Sequence, residues 1–159
     1  MNHRLQLGEA APDFTALAVG GNYGDGSEVQ LAHFKEKRLV LYFYPKDDTP
    51  GCTIQACGLR DGWSALSSLP VAIFGVSVDE AVSHRHFIEK YTLPFPLLSD
   101  PQHAMVEAYG VWGEKTFQGK KSIGTIRTTF VIGRDGRIER ILDKVAPAEH
   151  AALLLDSLA

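Results

Sequence analysis

Cys52 and Cys57 are the only thiols in the 159 residues, and they stand five apart in TPGCTIQACG. Thr49 followed by Pro50 reads as a helix N-cap with proline at the first helical position. That places Cys52 at the third helical position, among backbone N–H groups that have no helical partner. These N–H groups and the helix macrodipole favour negative charge, and first-turn thiols are where depressed pKa values occur. A free thiol with a pKa of about 8.5 is only about 3% thiolate at pH 7; a pKa of about 6 would give roughly thirtyfold more nucleophile. Asp47 and Asp48 oppose such a shift unless they point into solvent. A fixed cation would favour it, and Arg127, just ahead of an apolar strand, is a candidate. The competing reading makes Cys52 a small buried hydrophobe and Thr49 merely a cap. Position alone does not decide between them.

The second thiol adds a constraint. On an unbroken helix, residues five apart are about 7.5 Å apart in rise and about 140° in rotation, with Cα atoms roughly 8.7 Å apart. A disulfide needs about 4.4–6.8 Å. Cys52 and Cys57 therefore cannot form a static bridge within a helix, and a bond between them would require local unwinding. Gly51 and Gly58 flank the pair and make that unwinding inexpensive. The spacing is not the CxxC of dithiol reductases. A zinc site would have to recruit His84 and His86, which do not share a helical face, so no metal is expected. The two histidines read as solvated helix residues.

The elements that must position these groups follow from the pattern. Arg38–Tyr44 is a near-continuous apolar, aromatic-rich run, as expected of a strand covered on both faces, and Pro45 ends it. A helix is expected from Pro50 to Ser67, a second buried strand over Val71–Asp79, and a second helix over Glu80–Tyr91. Asp100–Tyr109 reads as a third helix before a loop, VWGEKTFQGKK. Thr128–Gly133 and Arg137–Leu142 flank Asp135-Gly136, a hairpin signal, and Pro147–Leu158 reads as a closing amphipathic helix. The glycines of GGNYGDG suit a hairpin or loop and do not form a phosphate-binding motif. The order β-α-β-α, then β-β-α, demands a mixed sheet flanked by helices. It is the thioredoxin-like arrangement, though other α/β folds share it.

Composition excludes several classes. Sixteen basic against nineteen acidic residues give a net charge of −3, which argues against a nucleic-acid surface. No apolar run approaches the roughly 18 residues of a membrane span, and the start has no secretory-type apolar stretch. Two cysteines rule out a disulfide scaffold. A single domain spanning residues 1–159, working in the cytoplasm, is expected.

Pro45, Thr49 and Cys52 form P-x-x-x-T-x-x-C after a buried aromatic strand, which resembles the peroxiredoxin active-site motif. Arg127 in RTTFVI matches that family's distant arginine, and GEAAPDF resembles its opening strand. TPGCTIQACGLRD, LLSD and YGVWGEK are similar to the bacterioferritin comigratory protein, or peroxiredoxin Q, branch. The resemblance runs from about Gly8 to the last helix. Many other branches carry Glu three residues after the reactive cysteine; here the residue is Gln55, so a role assigned to that Glu is not transferred.

The resemblance implies a thiol-specific peroxidase with a thioredoxin-like fold and no cofactor. Cys52 would be the peroxidatic thiolate, with the Thr49 hydroxyl, the Cys52 N–H and the Arg127 guanidinium as donors to the reacting oxygens. One preorganised donor is typically worth about 3–4 kcal/mol, more than the roughly 2 kcal/mol from thiolate fraction. Pro45 would shield the sulfur from water. Cys57, the sole other thiol, would resolve the sulfenic acid to a disulfide. Thioredoxin or a similar dithiol would then reduce it in a transient encounter, and a monomer is expected. Phe87, Trp112 and Phe117 suit either an apolar collar or the core. Two rivals remain, a thiol–disulfide reductase on the same fold and a non-catalytic redox sensor.

Overall fold

The structure is a computed structural model that describes residues 4–159, with only the backbone of Phe117. Its frame is a seven-stranded mixed sheet in the order β2-β1-β5-β4-β3-β8-β9. Strand β3 (Arg38–Phe43) runs parallel to β4 (Val71–Ser77), and β4 runs parallel to β5 (Leu97–Ser99). On one side β1 (Thr15–Val19) pairs antiparallel with β5 and with β2 (Ser27–Gln30). On the other, β8 (Thr128–Ile132) pairs antiparallel with both β3 and β9 (Ile138–Asp143).

Alternation along β3 divides the core between the two faces of the sheet. Leu39, Leu41 and Phe43 face a cluster with Phe74, Val76, Phe130 and Tyr109. Val40, Tyr42 and Tyr44 face the cluster that contains Cys52, Ala56 and Leu59 of α1 (Pro50–Asp61), Phe87 of α3 (Ala81–Tyr91) and Leu154 of α5 (His150–Leu158). Both faces are covered, which is why β3 reads as a continuous apolar run.

Several expected elements differ in extent. The helix from Pro50 stops at Asp61, and α2 (Trp63–Ser67) restarts after Gly62, whose N–H reaches back to the Gly58 carbonyl. Glycine weakens a helix interior by about 1 kcal/mol, enough to place the break there. The helix expected over Asp100–Tyr109 shrinks to α4 (Ala104–Ala108). The Asp100 carboxylate instead accepts the N–H groups of Met105 and Val106, so it caps the helix from outside.

The segment expected as a loop forms a hairpin of β6 (Trp112–Phe117) and β7 (Lys120–Thr125). Its turn, Gln118-Gly119, has positive φ at both residues (52° and 78°), the geometry of a tight two-residue hairpin. Exposed polar residues such as Lys120, Lys121 and Ser122 hide the strand periodicity. GEAAPDF contributes one bridge, Ala10 to Arg137, and the chain enters the sheet only at Thr15. The glycine-rich GGNYGDG segment joins β1 to β2 as a loop. Among the described residues no helix is long and apolar enough to cross a membrane.

Candidate active site

The Cys52 turn is built by a short loop from the end of β3. Thr49 has extended backbone angles at the N-cap, Pro50 opens α1, and the first helical bond runs from Thr53 N–H to the Thr49 carbonyl. The Cys52 N–H therefore lies in the unpaired first turn. Its side chain is buried at 2% exposure, at the end of the helix that faces the sheet.

Arg127, at the junction between β7 and β8, reaches across from 75 residues away. Its Nη2 donates to Cys52 Sγ at 3.4 Å, and its Nη1 donates to Gln55 Oε1. Gln55 is 1% exposed and sits three residues after Cys52, on the same helical face. It thus holds one guanidinium nitrogen while the sulfur takes the other, an unassigned role that the i, i+3 spacing could have suggested. Gly51 is the second unassigned part. A Cβ there would lie 3.2 Å from Arg127 Nη2, so glycine leaves room for the guanidinium.

A third is Lys115 on β6, whose ammonium donates to the Thr125 carbonyl at 3.1 Å. Burial first, and then the Arg127 charge, hold Lys115 below its ordinary value, while Cys52 pulls it the other way. The hairpin that was expected to be a loop thus carries a second cation, one whose charge is linked electrostatically to Arg127 and Cys52.

Thr49 departs from the sequence expectation in its side chain. Its hydroxyl makes no cap bond and donates to the Lys46 carbonyl at 2.8 Å. A hydroxyl has one hydrogen, so Thr49 presents lone pairs to the site and is an acceptor there in this arrangement. Pro45 ends the strand, half-buried, at the start of the loop. Cys52 and Cys57 are both free thiols on one continuous helix, Cys57 half-exposed, so the structure does not bring them together.

The two aspartates both bond residues of α3 but differ in burial. Asp48 is exposed and binds Lys90 Nζ at 2.7 Å and the Tyr91 hydroxyl at 2.9 Å, and these bonds, Lys90 first, lower its pKa. Asp47 is buried, against the hope that it points into solvent, and it is bonded to Tyr44, Ser83 and His84. His84 corrects another expectation: it is 0% exposed, inside the α3 contact, whereas His86 is exposed. Helical spacing puts positions 84 and 87 on the face that packs on the sheet, and hydrogen bonds make burial of the ring tolerable. Phe87 is core rather than collar, and Trp112 meets the His103 ring at a 43° tilt with centroids 4.2 Å apart and packs against the opposite core. The Phe117 side chain lies outside the described residues.

A buried thiol in a helix first turn, over a thioredoxin-like sheet and bonded by a half-buried arginine, defines a thiol-dependent redox enzyme. The alkyl hydroperoxide reductase and thiol-specific antioxidant (AhpC/TSA) family model matches residues 7–141, and the chain belongs to that family. It is 44% identical over 154 residues to a putative peroxiredoxin bcp of Coxiella burnetii, covering 97% of this chain and 99% of that one. Peroxiredoxin Bcp of Escherichia coli K12 is 42% identical, covering 97% and 96% of the two chains. A structure of the Xanthomonas campestris bacterioferritin comigratory protein superposes with a TM-score of 0.83 at 33% identity, covering 97% and 95%. The chain is a thioredoxin-dependent thiol peroxidase of the peroxiredoxin type with a thioredoxin-like fold.

Proposed function

We propose that Cys52 is the peroxidatic residue, Arg127 and Thr49 its partners at the peroxide, and Cys57 the resolving thiol. The observation that carries this is the Arg127 guanidinium bonded at once to Cys52 Sγ and Gln55. The Cys52 thiolate attacks the terminal peroxide oxygen; an S–O bond forms as the O–O bond breaks. The leaving hydroxide or alkoxide takes a proton and departs as water or alcohol. Arg127 stabilises the negative charge as it moves from sulfur to the leaving oxygen, and Thr49 accepts a hydrogen bond from the protonated peroxide. Pro45, which has no N–H, keeps the loop backbone from hydrating the sulfur.

The Cys52 sulfenic acid then loses water to the Cys57 thiol, forming an S–S bond, and a dithiol partner returns both to thiols. In the helix seen here the two sulfurs cannot meet, so α1 must unwind between them. We place the enzyme in the cytoplasm as a single-domain monomer. Two free thiols suit a reducing compartment, and gel filtration tests the monomer.

The deciding experiment mixes reduced protein with one equivalent of hydrogen peroxide and counts free thiols over seconds. Loss of both thiols is the expected result. Loss of one would keep Cys52 and move resolution to an outside thiol; loss of neither would remove the assignment.

A further inference from the structure

The loop between β3 and α1 carries Pro45 and Thr49, and it is held from behind by α3. Asp47 Oδ1 accepts the Tyr44 hydroxyl at 2.6 Å; Oδ2 accepts the Ser83 hydroxyl at 2.8 Å and faces His84 Nδ1 at 2.7 Å. The Asp47 N–H donates to Asp79 Oδ2 at 2.8 Å, where the Ser77 hydroxyl also donates at 2.7 Å. His84 Nε2 lies 2.9 Å from the Leu98 carbonyl oxygen. A carbonyl only accepts, so Nε2 carries a hydrogen. One further proton lies between Nδ1 and the Asp47 carboxylate, and the pair is charge-balanced whichever atom holds it. Hydrogen bonds therefore run without a gap from β5 through α3 into the loop.

Ligand atoms of Asp47, Asp79 and His84 also lie within 4.8 Å of one another, but each is already bonded inside the cluster. The cluster is a hydrogen-bonded latch rather than a cation site. A buried pair of this kind adds little net stability, so its use lies in the geometry it fixes. What it fixes is the backbone two residues ahead of Thr49.

We propose that His84 and Asp47 are positioning residues for the peroxide step, holding the loop so that Thr49 and the first turn of α1 keep their placement against Arg127. They act through the loop and do not touch peroxide. This rests on Cys52 being the peroxidatic thiol.

The test uses the Cys57→Ser protein, so that only Cys52 reacts, and compares two rates. Hydrogen peroxide needs the Thr49 and Arg127 geometry; iodoacetamide needs only an accessible thiolate. His84→Ala and Asp47→Ala are each expected to slow peroxide oxidation by about tenfold or more while alkylation stays within about twofold. Asp47→Asn is expected to recover to within about threefold of the parent. Its amide N–H groups can donate to His84 Nδ1 and the Ser83 oxygen while its carbonyl accepts from Tyr44. Unchanged peroxide rates in both alanine variants, or equal losses in both reactions, would overturn the latch.

Should His84→Ala fail to fold, the half-buried Ser83→Ala takes its place. It is expected to run about two- to fivefold slower with peroxide alone, and an unchanged rate overturns the proposal. A parent protein that consumes no peroxide overturns the peroxidase roles and the latch together. A reactive parent with unaffected variants removes only the latch.

Discussion

At the scale of single residues, the site is an arginine held between a sulfur and an amide. On the proposed role, Arg127→Ala removes the charge that meets the developing oxyanion and is expected to slow peroxide consumption by about tenfold or more, read by stopped-flow. A loss below about twofold would take Arg127 out of the mechanism. Gln55→Ala leaves the guanidinium in place but free to swing, so a smaller loss is expected, on the order of threefold to tenfold. Gly51→Ala should also slow the enzyme, because its Cβ would press on Arg127 Nη2 from 3.2 Å. Cys52→Ser should abolish turnover, whereas Cys57→Ser should spare the first turnover and block recycling through the intramolecular disulfide.

The placement of Cys52 in a helix first turn and of Arg127 ahead of a strand was legible from a cap, a proline and a strand start, whereas the Thr49 hydroxyl, expected to donate into the site, donates to the Lys46 carbonyl. Gln55 and Lys115 were not assigned, since their roles depend on how a distant arginine enters and on a hairpin masked by its polar surface. His84 was misread for a related reason. A histidine on a helix looks solvated until a buried carboxylate supplies its partner.

At the scale of elements, α1 must be stable enough to present Cys52 and weak enough to open for Cys57. Gly58 offers a handle, since a Cβ there would meet only Ala151 Cβ, at 3.9 Å. Gly58→Ala should stabilise the helix by about 1 kcal/mol, which makes the unwound form about fivefold rarer. The expected outcome is slower disulfide formation and more overoxidation of Cys52 at high peroxide, measured by mass spectrometry of the intact protein. An unchanged disulfide rate would mean that unwinding does not limit resolution.

The start of α5 carries a second element-scale signal. His150 is buried against Thr129 and Tyr42, and burial first, then the Arg127 charge, pushes its pKa down to about 4 from 6.5. The unfolded chain therefore binds one more proton between those values. His150's contribution is fully present above about pH 6.5 and is lost as the pH falls towards 4, amounting to about 3 kcal/mol. Urea unfolding between pH 7 and about 4 should show this slope, and His150→Phe should flatten it. An equally steep slope in the variant would assign the acid sensitivity to other groups.

At the scale of the whole molecule, the mixed sheet with helices on both faces was foreseeable from the order of apolar runs and the Asp135-Gly136 turn. The β1–β2 extension was legible only in its turn, since the GGNYGDG glycines suit a hairpin while TALAV and SEVQ are short strands. The pairing of β1 with β5 is long-range and leaves little local trace. Packing at the centre of the sheet is tight. A Cβ on Gly75 would fall 2.7 Å from both Leu97 Cδ2 and Tyr42 Cζ. Gly75→Ala should therefore lower stability by about 1–3 kcal/mol, visible as a reduced Tm, and an unchanged Tm would show that Tyr42 can move aside.

The reactive thiol follows β3, while its arginine precedes β8, the strand that pairs with β3 from Phe43–Thr128 to Leu39–Ile132. A ribosome-bound chain that has emerged only as far as α4 already holds Cys52 but lacks both Arg127 and the α5 that packs in the same cluster as the Cys52 helix. On the roles proposed above, peroxide reactivity is withheld from the growing chain until β8 docks on β3. The proposed reactive sulfur would then pass through synthesis without its neighbouring cation.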